Sequence, residues 1–333
     1  MQTVTAKPKI EEITRPEGSH TYVLRFNNMP AIQLLNGNRF IVSSPDGDIS
    51  VIDHGFYRDD TRMLSSLTTR VNGTPLTPLN SNYSTPSAAE FYLTNPELKL
   101  PGGGTIPKES LVIARHRLID RFVQEDFYVF NVSLKPVKAS LSFEMDTDFL
   151  DLFEVKEKVF ADKPDMGKNA AVQIEPPRPV KREFFDMENA FNFTWTDEKT
   201  GFAAQTVVWF SEKGVVKDNK ITFDLNLAPS GGNFHVVMGI APFLGDERRK
   251  PGEITREQIS ERAVLNYREK MESAKASWRL HVPQLQTRWD ELRHSYYQSL
   301  IGLIALQITD PSGQGKWTLP AAGSPWFMTL FGR

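Results

Sequence analysis

The chain has 333 residues, a formal net charge of −2, 40% hydrophobic residues and no cysteine. This length suits one large domain, or one domain with a smaller part, and the lack of thiols excludes a disulfide framework and a thiolate metal site. The 39 basic and 41 acidic residues nearly balance, so no strong field is expected to attract nucleic acid or an anionic membrane. The first residues lack the apolar core of a signal peptide, and the apolar run SLIGLIALQI is too short to cross a bilayer. We therefore expect a soluble cytoplasmic protein.

Up to residue 250 the chain consists of short alternating runs separated by turn residues. Lys220–Leu227 places Ile221 and Phe223 on one face and Thr222 and Asp224 on the other, a period of two that predicts a half-buried strand. Turn motifs such as SPDGD and VNGTP separate the runs, which predicts a large antiparallel β-sandwich of two sheets. Similar strands are predicted at residues 39–43, 63–71, 111–118, 122–132, 139–149, 189–195, 203–211 and 234–241, and loops at 95–110 and 176–182.

After Pro251 the pattern becomes helical. Thr255 and Gln258 are spaced as a capping box, and we predict a linker helix over 251–283. A second helix is predicted after Pro283, with one buried face. The stripe that defines this face comprises Trp289, Leu292, Tyr296, Leu300 and Leu303.

Three longer motifs are more specific than this periodicity. They are DGDISVIDHGFYRDDTRMLSSLTTRVNG (46–73), DTDFLDLFEVK (146–156) and PAAGSPWFMTLFGR (320–333). Together they resemble segments of bacterial and archaeal amylo-α-1,6-glucosidases, the glycogen-debranching type of glycoside hydrolase. There are departures: Lys156 stands where that family has Arg, Asp59 and Asp60 stand where it has one Asp, and the Asp that follows the final Arg is absent.

The resemblance implies a domain plan and a substrate. A supersandwich-like β domain would occupy 1–250, a linker helix 251–283, and the first helix and substrate loop of an (α/α)6 catalytic barrel 284–333. The rest of that barrel, with its catalytic carboxylates, would lie beyond Arg333. The partners implied are an α-glucan or oligosaccharide and the chain's own C-terminal barrel, and no cofactor is implied.

The resemblance also names substrate-binding residues in the final segment. In similar sugar-processing barrels this loop lines the pocket for the terminal glucose, so Trp326 and Phe327 are expected as wall residues. Arg333 is expected to donate hydrogen bonds to sugar hydroxyls from its planar fork. The alternative for the two aromatic rings is hydrophobic packing for the next helix.

Two charged motifs are interpreted mainly as structural. Arg58, Asp59, Asp60 and Arg62 place opposite charges on a turn between two strands, which favours a charge-paired turn over a contact with glycan. His54 with neighbouring carboxylates is a weak ligand set, so no metal is expected. The second motif contains the carboxylates of Asp148, Asp151 and Glu154. These could suggest a glycosidase pair, but we interpret them as structural residues that brace a sheet edge.

The sequence therefore supports a leading function and two alternatives. The leading hypothesis is an N-terminal module of a glycogen-debranching-type glycoside hydrolase, inactive alone, that supports the catalytic barrel. One alternative is a non-catalytic carbohydrate-binding or scaffold domain that works by itself. The other is a module of a different exo-glucosidase, because specificity would lie in barrel loops beyond the sequence.

Overall fold

The computed structural model describes residues 9–14, 20–25, 31–100, 103–161, 177–248, 250, 283–309, 318–323 and 328. Within these ranges the chain is mostly β-strand, and every sheet is antiparallel. The predicted mainly-β fold class is confirmed. In the described part of the chain, no helix is long and apolar enough to cross a membrane.

The elements follow one another in chain order. The strands of the first third are β1 Lys9–Thr14, β2 His20–Arg25, β3 Ile32–Asn36, β4 Arg39–Ser43, β5 Gly55–Arg58, β6 Thr61–Leu64, β7 Ser66–Val71, β8 Thr74–Pro75, β9 Thr77–Thr85, β10 Ala88–Thr94, β11 Leu98–Lys99 and β12 Thr105–Ile106. The middle third comprises β13 Leu111–Ile119, β14 Val123–Asn131, β15 Val137–Asp146, helix α1 Leu152–Ala161, β16 Lys181–Phe185, β17 Ala190–Thr196 and β18 Ala203–Phe210. The last elements are β19 Val215–Lys217, β20 Lys220–Leu227, β21 Asn233–Leu244, a 3-10 turn Gly245–Glu247, helix α2 Asp290–Ala305, β22 Gln307–Thr309 and β23 Thr318–Pro320.

Two sheets form the main sandwich. The larger has eight strands in the order β16-β17-β18-β21-β14-β13-β10-β9, and the other has five in the order β19-β20-β15-β7-β8. Phenylalanine rings from both sheets meet between them: Phe127 of the larger sheet lies 4.6 Å from Phe143 of the smaller, and Phe143 lies 5.5 Å from Phe210. All three are buried. Removing one such ring to alanine typically costs about 3–5 kcal/mol, so this aromatic layer is a main source of stability.

A third sheet of four strands, in the order β3-β4-β5-β6, carries a separate hydrophobic core. Leu152 and Val155 of α1 pack in that core with Phe40 and Tyr57 of the sheet. The chain passes from this sheet to the sandwich at Ser65, whose N–H donates to the carbonyl of Asp146 at 2.9 Å. One face of the four-stranded sheet therefore lines this second core, while its other face, with Leu34, Ile41 and Phe56, belongs to the main core of the sandwich.

Several sequence predictions differ from the structure in detail. The strand Lys220–Leu227 was predicted with the observed ends, but the single strand predicted at 63–71 is two strands, because the chain changes sheets at Ser65. The loop predicted at 176–182 is wrong at its end: Lys181 and Arg182 begin β16, where the prolines that cannot donate to a ladder have ended. Residues 95–110 are mainly loop but contain the short pair β11–β12.

The second predicted helix is present as α2, but the prediction of a buried face is wrong. Of its sixteen residues only Ala305 is buried, and Trp289, Leu292 and Leu303 are 60%, 41% and 56% exposed. An apolar stripe is buried only when a surface packs on it; in the described chain these three stripe residues are exposed, while Tyr296 and Leu300 are half-buried. The predicted linker helix at 251–283 lies outside the described residues.

Candidate functional site

The charged motif around residue 60 forms a tight hairpin. Strands β5 and β6 are joined by Asp59 and Asp60, with φ of 46° and 66°. Two consecutive residues in the left-handed region are typical of a type I′ turn, which suits the twist of paired strands. Aspartate tolerates this conformation better than most residues. The turn holds Arg58 and Arg62 on the two strands, where each reaches a different partner.

Arg58 ties the hairpin to the large sheet. Its Nη1 donates to the carbonyl of Pro242 at 2.8 Å and lies 2.7 Å from a carboxylate oxygen of Glu247. Its Nε lies 3.2 Å from Asp59. Because Arg58 is mostly buried, these contacts fix the position of the turn relative to β21.

Arg62 ties the same hairpin to the second motif. Its guanidinium binds both oxygens of Asp148, with Nε to Oδ1 at 3.0 Å, and Nη1 donates to the carbonyls of Ile52 and His54 at 2.7 and 3.3 Å. Burial lowers the pKa of Arg62, but the Asp148 carboxylate outweighs this and the pKa is raised. Asp148 is thus one half of a bidentate ion pair.

The other carboxylates of the second motif cap helix α1. Asp151 accepts from the N–H of Phe153 at 2.8 Å, and Glu154 accepts from the N–H of Asp151 at 2.5 Å. This reciprocal pattern is a capping box. Glu154 also pairs with Arg178 at 2.7 Å, whose guanidinium lies 4.3 Å from the Trp195 ring centroid. In the structure these acids hold a helix start in place.

The backbone between these acids is strained. Phe149 is buried and has a φ of 51°, in a region that bulky residues rarely occupy. The carbonyl of Phe149 accepts from Arg178, and the N–H of the next residue, Leu150, donates to Asp148 at 3.2 Å. Ion pairs on both sides therefore maintain the conformation of this segment.

Two carboxyl groups meet where the hairpin touches α1. The N–H of Leu152 donates to the carbonyl of Asp60 at 2.8 Å, and Thr61 forms a β-bridge with Asp151. Burial, followed by the charges of Asp151 and Asp59, raises the pKa of Asp60 to about 6. Burial likewise raises the pKa of Asp151. This contact therefore changes its charge under mildly acidic conditions.

The third motif reaches the same place. The N–H of Gly37 donates to the carbonyl of Ala305 at 3.1 Å, and the N–H of Ala321 donates to that of Leu306 at 2.8 Å. Ala321 and Met328 are buried in the core of the four-stranded sheet. All three motifs singled out in the sequence thus converge, and we call the place where they meet the junction. It comprises residues 55–62, 148–156, 305–309 and 318–323 with Met328.

The predicted substrate-binding residues Trp326, Phe327 and Arg333 lie outside the described residues. His54 is buried, which lowers its pKa, and its Nδ1 has no hydrogen-bond partner among the described side chains. Across the same residues, no group of three histidine or acidic side chains is placed to hold a metal ion.

A buried charge network, missed in the sequence, supports the junction from inside. Arg115 and Arg117 of β13 are fully buried, and each donates from Nε to Glu125 of β14 at 2.6 Å. Arg115 also reaches Asp48 at 2.9 Å and lies 5.0 Å from the Phe127 ring centroid. Burial lowers the pKa of Arg117 to about 10, so both guanidiniums are charged at neutral pH.

The network holds the loop between β4 and β5. Arg117 donates to the hydroxyl of Ser43 at 3.0 Å and to the carbonyl of Gly47 at 2.6 Å. Asp48 accepts from the N–H of Thr69 at 3.0 Å. Because this loop leads directly into β5, the network positions the hairpin of the junction. A sequence signal existed: Arg115 and Arg117 occupy two successive inward positions of β13, between the apolar residues Ile113 and Ile119.

Comparisons with known proteins give one family and several distant structures. The family model described as the N-terminal domain of some glycogen debranching enzymes matches residues 34–235. No curated protein matches the chain.

Three solved structures are distantly similar to this chain. A protein from the human microbiome assigned as a kojibiose phosphorylase has 9% identity and a TM-score of 0.42, over 83% of this chain and 35% of its own length. A protein from Synechocystis has 8% identity and a TM-score of 0.34, over 67% of this chain and 99% of its own length. Heparinase III has 12% identity and a TM-score of 0.28, over 69% and 38%. The chain thus spans about a third of the first of these proteins.

Proposed function

The chain belongs to the family of N-terminal domains of glycogen debranching enzymes, and on that premise we propose that it is the β-sandwich module of a glycoside hydrolase acting on α-glucans. The reaction proposed for the whole enzyme is hydrolysis of α-1,6-linked glucose at branch points. We place this enzyme in the cytoplasm. The observation that carries the proposal is the junction, where the three family-like motifs meet in one core.

The module's proposed role is to hold a helical catalytic domain. Trp289, Leu292 and Leu303 of the α2 region present large apolar side chains to solvent. Large exposed apolar side chains that recur along one helix favour an interaction site there. The C-terminal end of α2 is anchored at the junction, since the carbonyls of Ala305 and Leu306 accept from the N–H groups of Gly37 and Ala321. The junction would therefore fix the angle at which the next helices pack on α2.

In this proposal the catalytic carboxylates belong to the helical domain. Glycoside hydrolysis needs one protonated and one ionised carboxyl group on either side of the scissile bond. Within the junction, Asp148 is paired with Arg62, while Asp151 and Glu154 cap α1. Because each has a structural partner, we propose that the module alone does not hydrolyse glucan.

The docking role can be tested with variants of the exposed stripe. A separately produced helical domain from the same gene should co-elute with this chain in size-exclusion chromatography. The double variant Leu292→Asp/Leu303→Asp should abolish co-elution. Leu134→Asp, which changes an equally apolar residue that is 87% exposed on a sandwich loop, should have no effect. Co-elution of the double variant at the wild-type level would contradict the docking role.

The enzymatic part of the proposal has its own test. The gene sequence should continue past Arg333 with Asp and then amphipathic helix pairs. The complete product should release glucose from α-1,6-branched dextrins, while residues 1–333 alone should not. A complete product that prefers another linkage would favour the alternative of a different exo-glucosidase.

A further inference from the structure

The outer face of the eight-stranded sheet carries a row of aromatic and polar side chains. Adjacent strands place Tyr92 beside Ala114, Ala114 beside Tyr128, and Tyr128 beside His235. Residues directly opposite in antiparallel strands share a face. The alternate residues of these strands, such as Phe91 and Phe127, lie in the sandwich core. The row therefore lies on the side of the sheet that faces away from the core.

A parallel row of polar groups runs beside the first. Glu90 lies opposite His116, and His116 lies opposite Asp126. Both rows cross β10, β13 and β14, and the first continues onto β21. At a strand spacing of about 4.8 Å, four strands span roughly 14 Å. We call this surface the sheet strip; it consists of Glu90, Tyr92, His116, Asp126, Tyr128 and His235.

The rings of the strip contact one another. The rings of Tyr128 and His235 are stacked, with centroids 4.1 Å apart and planes within 5°. His116 lies 5.7 Å from Tyr128 and 6.5 Å from Tyr92. All four rings are half-buried rather than covered. Ala114 is the small residue between the two tyrosines, so the surface has a shallow depression at Ala114 between the rings on either side.

The polar groups of the strip are held in fixed positions. Asp126 is buried, accepts from the amide of Gln124 at 2.8 Å and lies 3.1 Å from Nε2 of His235. Tyr92 donates its hydroxyl to Glu90 at 3.3 Å. Asp126 thus acts as a positioning residue that orients the His235 ring, while Glu90 and the imidazoles supply acceptors and donors at the surface.

Rings beside fixed polar groups match the two kinds of surface that a sugar presents. A pyranose has apolar C–H faces and a rim of hydroxyl groups that both donate and accept. We propose that the sheet strip binds a chain of α-linked glucose units, with C–H faces against the tyrosine rings and hydroxyls bonded to Glu90 and the imidazoles. The choice of α-linked glucose rests on the proposed function. That the strip can bind a sugar is argued from its own rings and polar groups.

Binding is measured with the full 333-residue chain. Glycogen in a native gel should retard the wild-type protein, and calorimetry with maltoheptaose should give a Kd. Tyr92→Ala should raise that Kd roughly two- to tenfold, the range of a lost aromatic contact. Glu90→Gln keeps the side-chain shape and should also weaken binding. The control is Phe202→Ala, which removes an exposed ring on a turn outside the strip and should bind like wild type.

Each outcome decides the proposal. Loss of affinity in both strip variants, with unchanged thermal unfolding and a normal control, supports it. A wild-type chain that is not retarded by glycogen overturns it, as do strip variants with the wild-type Kd. Equal affinity for cello-oligosaccharides overturns the choice of α-linked glucose. Strip variants should still co-elute with the helical domain, so failure of the strip and failure of the docking role are separate results.

Discussion

Replacing Glu125 by glutamine tests whether the buried network holds the fold together. Glu125 accepts from two guanidiniums at 2.6 Å, and all three side chains are fully buried. The amide keeps the size of the carboxylate but removes its charge, which leaves Arg117 without an anionic partner in the network and Arg115 with Asp48 alone. Removing one partner of a buried pair costs about 3–5 kcal/mol. We expect a loss of at least that size.

The loss is measured by urea unfolding at pH 7, followed by tryptophan fluorescence and circular dichroism. For a domain of this size it corresponds to a drop in Tm of roughly 10 °C. Glu144→Gln is the matched control, since Glu144 is exposed on β15 and surface changes usually stay within about 0.5 kcal/mol.

A second variant separates the cost of an unpaired buried charge from the cost of lost packing. Arg117→Met/Glu125→Leu removes one cation with the anion and leaves Arg115 paired with Asp48. We expect it to be more stable than Glu125→Gln, because the cost of an unpaired buried charge is avoided. A Glu125→Gln protein within 1 kcal/mol of wild type would refute the reasoning, since it would mean that the guanidiniums are compensated elsewhere.

Three further predictions concern the loop and the junction. Gly47→Ala should destabilise the chain more than Gly73→Ala. Both glycines have positive φ, so each substitution has a backbone cost of about 1 kcal/mol. Only at Gly47 would the new Cβ also clash, because it would lie 2.9 Å from the Arg115 guanidinium. Asp60→Asn should stabilise the chain by about 1 kcal/mol at pH 7, less than the full pKa shift implies because the side chain is partly exposed. Asp151→Ala should cost about 1 kcal/mol through the lost helix cap.

The pH dependence of the Asp60 variant follows from the direction of its shift. A carboxyl with a folded pKa of about 6, above its unfolded value, contributes stability below pH 4 that is lost as the pH rises through 6. Wild type and Asp60→Asn should therefore have equal Tm below pH 4, separate as the pH rises from 4 to 6, and keep a constant difference above pH 7. A difference that stays constant from pH 4 to pH 7 would contradict the assignment. Equal losses for Gly47→Ala and Gly73→Ala, or an unchanged Tm for Asp151→Ala, would contradict the other two predictions.

The alternation of apolar and polar residues alone was enough to predict strands with one solvent-exposed face. Lys220–Leu227 follows the pattern along its whole length because its even-numbered residues are partly or fully exposed. Helix α1 was missed, although Leu152, Val155 and Val159 have helical spacing, because the acids at its start were interpreted as sheet-edge braces. Those acids do brace the structure, but from the start of a helix.

The site required information that the sequence does not carry. Arg115 and Glu125 become partners only once the register of β13 and β14 is known. The position of Asp48 against the same arginine depends on a loop 67 residues earlier. The sheet strip depends on register in the same way, since its rings come from four strands. Local patterns predicted the elements, whereas these clusters arise from how the elements align.

The four-stranded sheet of the junction has a consequence for the order of folding. Its strands come from residues 32–64, which are synthesised well before three other residues of its core, Ile308, Ala321 and Met328. The backbone bond from Gly37 to Ala305 spans almost the whole chain. Contacts of such long sequence separation form slowly, because a large loop must close first. We therefore expect the four-stranded sheet to complete its core late, after residues 305–328 have been synthesised, and to need protection by chaperones until then.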